Sequence, residues 1–301
     1  MNKRLRLGIV AIAVLVGGVA MPPGQADEAS FRAVPIPREP LPWYDEAFHQ
    51  RVIEAGTDGV RVPAGVTVPT ALGLAYPGIR PGQWLISVDT TGFAWCTANY
   101  VFKKRSTYGL GTAGHCAAKD ALAHWPDVTA YVVPPPTSGK LPGIYHIGKF
   151  VLSRDNGVGD DFAMVAIYPQ YNAWMNPTMP VWGGPTSIKT DTSPTVVEHF
   201  GHGLVVGTGG TPRAGVAPIW TARNGDAFAW YGVGFQGDSG SAVNTVTQQA
   251  GGNFTHIVIY DGSRGDPVGE ILPGMLTGTT ITKILQIARG WTLQLGSAVP
   301  L

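Results

Sequence analysis

The sequence predicts an all-β protein whose strands fall into two groups, arranged as paired barrels or a sandwich and followed by one terminal helix. Three observations carry this. Gly (41 residues) and Pro (25) are abundant while only 14% of residues are charged. That composition suits many turns and short strands, because long amphipathic helices would need more Ala, Glu, Lys and Leu. Short β-type runs recur between turn signals from Gly82 to Tyr260, in two groups of about six on either side of the Pro/Gly/Thr-rich region 175–193. Only Thr279 to Arg289 has helical spacing, with Ile281, Ile284, Leu285 and Ala288 on one face.

In chain order, Met1-Asn2-Lys3-Arg4-Leu5-Arg6 is basic and runs into the apolar segment Leu7 to Ala20. Gly24-Gln25-Ala26 then supplies small residues at the spacing a signal peptidase reads. The apolar core is shorter than the roughly 20 residues that span a bilayer. Residues 1–26 are therefore expected to be an export signal, giving a secreted protein with no stable membrane insertion after cleavage. Residues 27–81 form an N-terminal extension. Pro35, Pro37, Pro40 and Pro42 read as an extended leader, and Asp45 to Ala55 as a short helix with Phe48, Val52 and Ile53 on one side. This composition fits a pro-segment and a packed arm equally well. The formal net charge of +1 gives no reason to expect nucleic acid as a partner.

The remaining domain, 82–301, begins in strand language. Its candidates are Trp84 to Val88, Ala94 to Phe102, Tyr108 to Ala113, Ala130 to Val133, Gly148 to Leu152 and Phe162 to Tyr168. A second set runs Thr195 to Val206, Ala227 to Val233, Ser241 to Val246 and Phe254 to Tyr260. The only cysteines, Cys96 and Cys116, are an even count in an exported chain and predict one disulfide. Such a loop closure stabilises by about 3 kcal/mol in the chain-entropy treatment. No Cys-rich zinc site can be built from two cysteines, and no metal or cofactor is expected.

The chemistry centres on Phe235-Gln236-Gly237-Asp238-Ser239-Gly240-Ser241-Ala242-Val243. Glycines flanking a serine permit backbone angles that other residues avoid. Two N–H groups in such a turn, those of Gly237 and Ser239, can converge on one oxygen and stabilise negative charge there. A serine hydroxyl is a weak nucleophile alone, so it needs a base and an acid behind the base. His115 ends a strand in Gly111-Thr112-Ala113-Gly114-His115-Cys116, beside one cysteine of the pair. Asp161 stands directly ahead of the apolar run Phe162-Ala163-Met164-Val165-Ala166-Ile167, where a carboxylate can fix the tautomer of a histidine. Asp160 is the competing acid.

Together these three motifs, in the order His115, Asp161, Ser239, resemble the chymotrypsin-like (trypsin-type) serine proteases, most closely the bacterial secreted branch. The likeness covers roughly residues 82–290 and is specific at the motifs, thin between them. It implies two six-stranded antiparallel β-barrels, about 82–180 and about 190–278, with a C-terminal helix at about 279–290 and the site in the cleft between barrels. It further implies His115 as general base, Asp161 as orienting acid, Ser239 as nucleophile and the N–H groups of Gly237 and Ser239 as oxyanion hole. Cys96–Cys116 is similar to the family's disulfide beside the histidine. The expected function is that of a monomeric secreted serine endopeptidase acting on proteins or peptides through an acyl-enzyme.

The sequence also departs from the family. No Ile-Val-Gly-Gly-like N-terminus is present to supply the amine that pairs with the aspartate before the serine, here Asp238, so its cationic partner is open. At the position where members cutting after Lys or Arg carry Asp, this chain has Val233. That disfavours a basic residue ahead of the cut and points to an apolar or small one. A glutamate preference would use a histidine on the pocket wall, and His256 lies near that strand but out of register. His199 and His202 form an H-x-x-H pair without an evident third metal ligand, and Asn253-Phe254-Thr255 is a sequon in a buried-looking strand. An α/β-hydrolase would need Gly where Ser241 stands and the order Ser, acid, His. The non-enzymatic alternative is an inactive protease-like binding or adhesion protein, which usually lacks one of the three residues or the glycines.

Overall fold

The computed structural model describes residues 31–36, 38–66, 76–89, 92–117, 126–203, 211–222, 225–260 and 274–300. The export signal read over 1–26 lies outside them. The strands are β1 (Phe31–Pro35), β2 (Glu39–Pro40), β3 (Trp84–Asp89), β4 (Gly92–Thr97), β5 (Val101–Lys104), β6 (Thr107–Thr112), β7 (Asp127–Val132), β8 (Gly143–Asp155) and β9 (Asp161–Ile167), with helix α1 (Glu46–Ala55) after β2. After the connector come β10 (Ser187–Ile188), β11 (Thr195–Gly201), β12 (Thr211–Ala222), β13 (Ala227–Gly232), β14 (Ala242–Thr245), β15 (Gln249–Tyr260) and β16 (Gly274–Thr280). Helix α2 (Ile281–Ile287) and β17 (Thr292–Leu293) follow.

Two sheets result. In the first, the order β5-β6-β9-β8-β7-β3-β4 carries β17 and β2 at its two ends. Strands β4 and β5 are consecutive, and the bend between them pairs both ways. Ala98 N–H donates to Gln83 O (2.9 Å), and Asn99 N–H to Gly111 O (2.7 Å). The long run read from Ala94 to Phe102 is thus one strand broken at a corner, and it closes a six-membered ring of strands. In the second sheet β15-β14-β11-β12-β13-β16 returns to β15, a closed six-stranded barrel with β1 and β10 attached to β15. Closure pairs the six barrel strands of each sheet on both sides, leaving edges only at the attached β1, β2, β10 and β17 among the described residues.

Each barrel has its own apolar interior. Leu85, Leu110, Val128, Tyr145, Phe150 and Val165 fill the first. In the second, Phe228 stacks between Trp220 (centroids 4.6 Å) and Trp230 (5.1 Å), with Val197, Val243 and Phe254 alongside. A third cluster, including Phe102, Phe162, Met164 and Phe200, is sealed by Ile281 and Ile284 of α2. Thr280 caps that helix by accepting from Lys283 N–H (3.3 Å). Helix α1, capped by Asp45, buries Phe48 and Val52 against Trp84, Trp95, Tyr131 and Ile144. Full burial of two such side chains is worth about 1.5–3 kcal/mol each. The extension from Arg38 to Val60 is therefore packed on the first barrel.

Strands β12 and β16 escaped the sequence reading. β12 contains Pro212 and Pro218, and its pairing with β13 shifts register on either side of Ile219, so no period-two pattern survives. β16 reads Gly-Met-Leu-Thr-Gly-Thr-Thr, in which small and polar residues replace the expected apolar alternation.

Candidate active site

His115 sits in a single 3₁₀ turn, Gly114–Cys116, immediately after β6. The register of β6 with β9 pairs Thr112 with Ala163, so the end of β6 meets the mouth of β9, where Asp161 is the first strand residue. This adjacency brings His115 beside Asp161. Asp161 is fully buried. One carboxylate oxygen accepts from His115 Nδ1 (2.7 Å); the other accepts the main-chain N–H groups of Gly114 and His115 (3.1 Å for the latter). Gly114 has to be glycine, since a Cβ there would lie 1.9 Å from Arg154 O. Asp160 turns away to Arg154 (2.7 Å) and Asn156 (2.9 Å). The Cys96–Cys116 disulfide ties the histidine turn to β4.

Ser239 comes from the second barrel, on the loop between β13 and β14. Its Oγ lies 2.8 Å from His115 Nε2. The loop depends on left-handed backbone at Gly237 (φ 90°) and Gly240 (φ 89°), where side chains would also strike Trp95 and Thr112. Gly240 N–H donates to Phe254 O (2.7 Å), fixing the loop on β15. Thr97 then clasps it to the first barrel: its N–H donates to Ser239 O (2.8 Å) and its hydroxyl to Gly237 O (2.9 Å). Among the described residues, the N–H groups of Gly237 and Ser239 donate to no main-chain carbonyl. Thr97 follows Cys96, so disulfide, histidine turn and serine loop share one stretch of β4.

Asp238, whose partner the sequence left open, is paired with Arg213 of β12. The carboxylate is fully buried and also accepts N–H groups of Gly203 (2.6 Å) and Phe235 (2.8 Å). The guanidinium lies over the Phe235 ring (4.6 Å) and donates to Gly203 O (3.2 Å). An internal side chain thus supplies the cation beside Asp238. Arg213 was missed because its only signal is a lone arginine in strand text broken by prolines.

Burial favours the neutral form of His115, but the charge of Asp161, its hydrogen bond and the nearby Asp155 outweigh that and raise the pKa above the ordinary 6.5. His199 and His202 go the other way: burial lowers both to about 4. They do not share a ligand site. His199 reaches Val233 O (3.3 Å) and Ser241 Oγ (3.4 Å), while His202 bonds Gly82 O. No group of three or more metal-ligating side chains occurs among the described residues. His256 lies beside Asp161, with Nδ1 3.8 Å from Asp161 Oδ2 and 2.8 Å from Thr255 Oγ1. Asn253 is fully buried, its amide donating to Asp161 O (3.1 Å). Val233 is 37% exposed at the end of β13.

The cleft also holds a part of the chain that the sequence reading did not connect with the site. Ser239 Oγ donates to the carbonyl oxygen of Ile36 (2.9 Å). Ile36 N–H donates in turn to Thr255 O (3.0 Å).

No protein-family model matches the sequence, and no curated protein matches it. Solved structures similar to the chain include Protease A of Thermobifida fusca, with 19% identity and a TM-score of 0.43, covering 75% of this chain and all of that one. A glutamic acid-specific serine protease that uses a histidine triad in substrate binding has 16% identity and a TM-score of 0.45, covering 72% of this chain and all of that one. Cellulomonas bogoriensis chymotrypsin has 16% identity and a TM-score of 0.44, covering 72% and 99%. At such identities the strand order, rather than the overlap, carries the assignment: the chain has the paired antiparallel barrels and C-terminal helix of the chymotrypsin-like fold.

Proposed function

We propose that the chain is a secreted serine endopeptidase that cleaves peptide bonds by acyl transfer. The observation that carries this reading is the unbroken hydrogen-bonded line from Asp161 through His115 to Ser239, with links of 2.7 and 2.8 Å, drawn from both barrels. With Nδ1–H held by Asp161, a neutral His115 turns the lone pair of Nε2 toward the serine hydroxyl. As Ser239 Oγ attacks a peptide carbonyl carbon, its proton passes to Nε2. The carboxylate of Asp161 balances the imidazolium that forms. Negative charge on the carbonyl oxygen is met by the N–H groups of Gly237 and Ser239, and one such donor is worth about 3–4 kcal/mol. The imidazolium then protonates the leaving amine and the C–N bond breaks, leaving an ester on Ser239. Water gives a proton to Nε2, attacks the ester, and releases the acid as the serine recovers its proton. Internal pairing of Asp238 with Arg213 further supports the reading, since the serine loop needs no cleavage-born amine to hold its shape.

The test is covalent. A fluorophosphonate is expected to modify folded, processed protein at Ser239. Ser239→Ala should abolish labelling and lower kcat by roughly 10⁴ to 10⁶. Folded protein that takes no label and cleaves nothing in a broad peptide library overturns the reading.

A further inference from the structure

The cleft between the barrels is already filled by the chain itself. Strand β1 lies antiparallel on β15, from Phe31 opposite Tyr260 to Pro35 opposite His256. Ile36 continues the ladder to Thr255 and presents its carbonyl oxygen to Ser239 Oγ at 2.9 Å. Beyond it, Arg38 O accepts from Gln236 Nε2 of the serine loop (2.9 Å), and β2 pairs Glu39 and Pro40 with Trp95 and Ala94 of β4. The segment thus leaves one barrel, passes over the nucleophile and joins the other barrel, with main-chain bonds on both sides. This is how an extended peptide binds by adding a strand.

Two of its side chains are gripped, by different chemistry. Ile36 is 1% exposed and joins the apolar cluster of Val197, Trp230, Phe254 and Leu276. Arg38 is 8% exposed, and its guanidinium faces the carbonyl oxygens of Ser87 (2.8 Å), Val88 (2.9 Å) and Ala94 (2.6 Å) and the Ser87 hydroxyl (2.8 Å). A ring of acceptors suits a planar fork of N–H donors, fits an ammonium less well and repels a carboxylate.

Resting on the peptidase reading, we propose that the cleft selects peptides with a branched aliphatic residue just ahead of the cleaved bond and an arginine two residues after it. In the intact chain, residues 31–36 and 38–41 hold that place as a tethered inhibitor. The bound strand survives for a geometric reason. The serine O–H points at the Ile36 oxygen, so oxygen rather than carbonyl carbon faces the nucleophile. The hydroxyl has one hydrogen, and with that hydrogen spent, Oγ accepts from His115 Nε2. With Nδ1–H held by Asp161, the ring is then the imidazolium and offers an N–H where a base needs a lone pair. A free peptide must also displace a tethered competitor, whose effective concentration is of millimolar order for a short connection.

The experiment compares fluorophosphonate labelling rates of the full chain, Arg38→Ala and Ile36→Asn, with near-ultraviolet circular dichroism reporting folding. Loosening either anchor should speed labelling of Ser239 at least tenfold, and free peptide spanning residues 31–41 should slow it again. Independently of any variant, peptide-library cleavage should fall at least tenfold in kcat/KM when Ala replaces the aliphatic residue or the arginine. Wild type that labels as fast as both folded variants overturns the tethered inhibitor and leaves the peptidase standing. A library preference for another residue at either position overturns the assigned subsites. If no form takes the label or cleaves peptide, the peptidase reading fails and this proposal fails with it.

Discussion

Asp161 and Asp238 are near twins in surroundings and opposites in the use proposed for them. Both are fully buried, each accepts two main-chain N–H groups, and each has one cationic or titratable side chain within hydrogen-bond distance. Asp161 faces His115 in the first barrel; Asp238 faces Arg213 in the second. A guanidinium never gives up its proton in the working range, so the second pair is a fixed strut. An imidazole does, so the first pair can move a proton to and from Ser239. On the proposed peptidase chemistry, the same carboxylate cradle would be reactive or structural according to the partner's pKa.

The comparison breaks most sharply under isosteric substitution. Asp161→Asn keeps the size of the side chain but favours the wrong tautomer of His115, and a loss of about 10⁴ in kcat is expected. Its stability, read by urea unfolding, should change far less than its rate. Arg213→Met should do the reverse. It strands a buried carboxylate, and removing one partner of such a pair costs about 3–5 kcal/mol. Urea unfolding reads that loss. Paired with Asp238→Asn, the double variant should be less destabilised than the two single losses added, because the pair is coupled. Strict additivity would mean that Arg213 and Asp238 do not act together.

The same two residues mark what can be read from sequence. Asp161 is legible because its partner stands at a strand end with a glycine before it and a cysteine after it, and its own strand is an unbroken apolar run. Arg213 is not, since it meets Asp238 only through the pairing of β11 with β12, where His199 stands opposite Arg213. Local text carries no trace of that register, and the prolines of β12 hide even the strand. Thr97 and Ile36 are missed for a related reason. Three of their bonds use main-chain atoms, Thr97 N–H to Ser239 O, Ile36 N–H to Thr255 O and Ile36 O from Ser239 Oγ, which leave no mark in residue type, and the Thr97 hydroxyl reaches Gly237 O across 140 positions of sequence. The extension at 27–81 could not be sorted into pro-segment or packed arm because the contacts of its described residues, on both barrels, are long-range.

Acid should reveal a smaller difference between the barrels. His199 and His202 are buried neutral with pKa values of about 4, against an ordinary 6.5. Between those values the unfolded chain binds more protons than the folded one, so stability rises with pH across the window and is lost as pH falls through it. Each histidine contributes on the order of 3 kcal/mol at most, since a tenfold change in proton affinity is worth about 1.4 kcal/mol. Urea midpoints measured from pH 7 to 4 should fall, and His199→Gln should flatten the fall. An unchanged slope would show that His199 takes up its proton equally in the folded and unfolded states.

The smallest effect is the most direct test of Asp161 as the charge that raises the His115 pKa. Attraction to its carboxylate, together with the hydrogen bond and Asp155, raises the His115 pKa despite burial. A general base works only when unprotonated, so the acid limb of kcat/KM should have its midpoint above 6.5. The stability linkage has the opposite sign from that of His199. The folded state holds the His115 proton more tightly, so this contribution is complete below the unfolded pKa and is lost as pH rises through the folded one. Activity should therefore grow over the pH range in which this one contribution to stability declines. In Asp161→Asn the charge is gone while burial remains, and the midpoint of the residual activity should move down. A midpoint that stays above 6.5 in that variant would assign the raised pKa to Asp155 instead. In that case Asp161 would resemble Asp238 more closely than its position beside the histidine suggests.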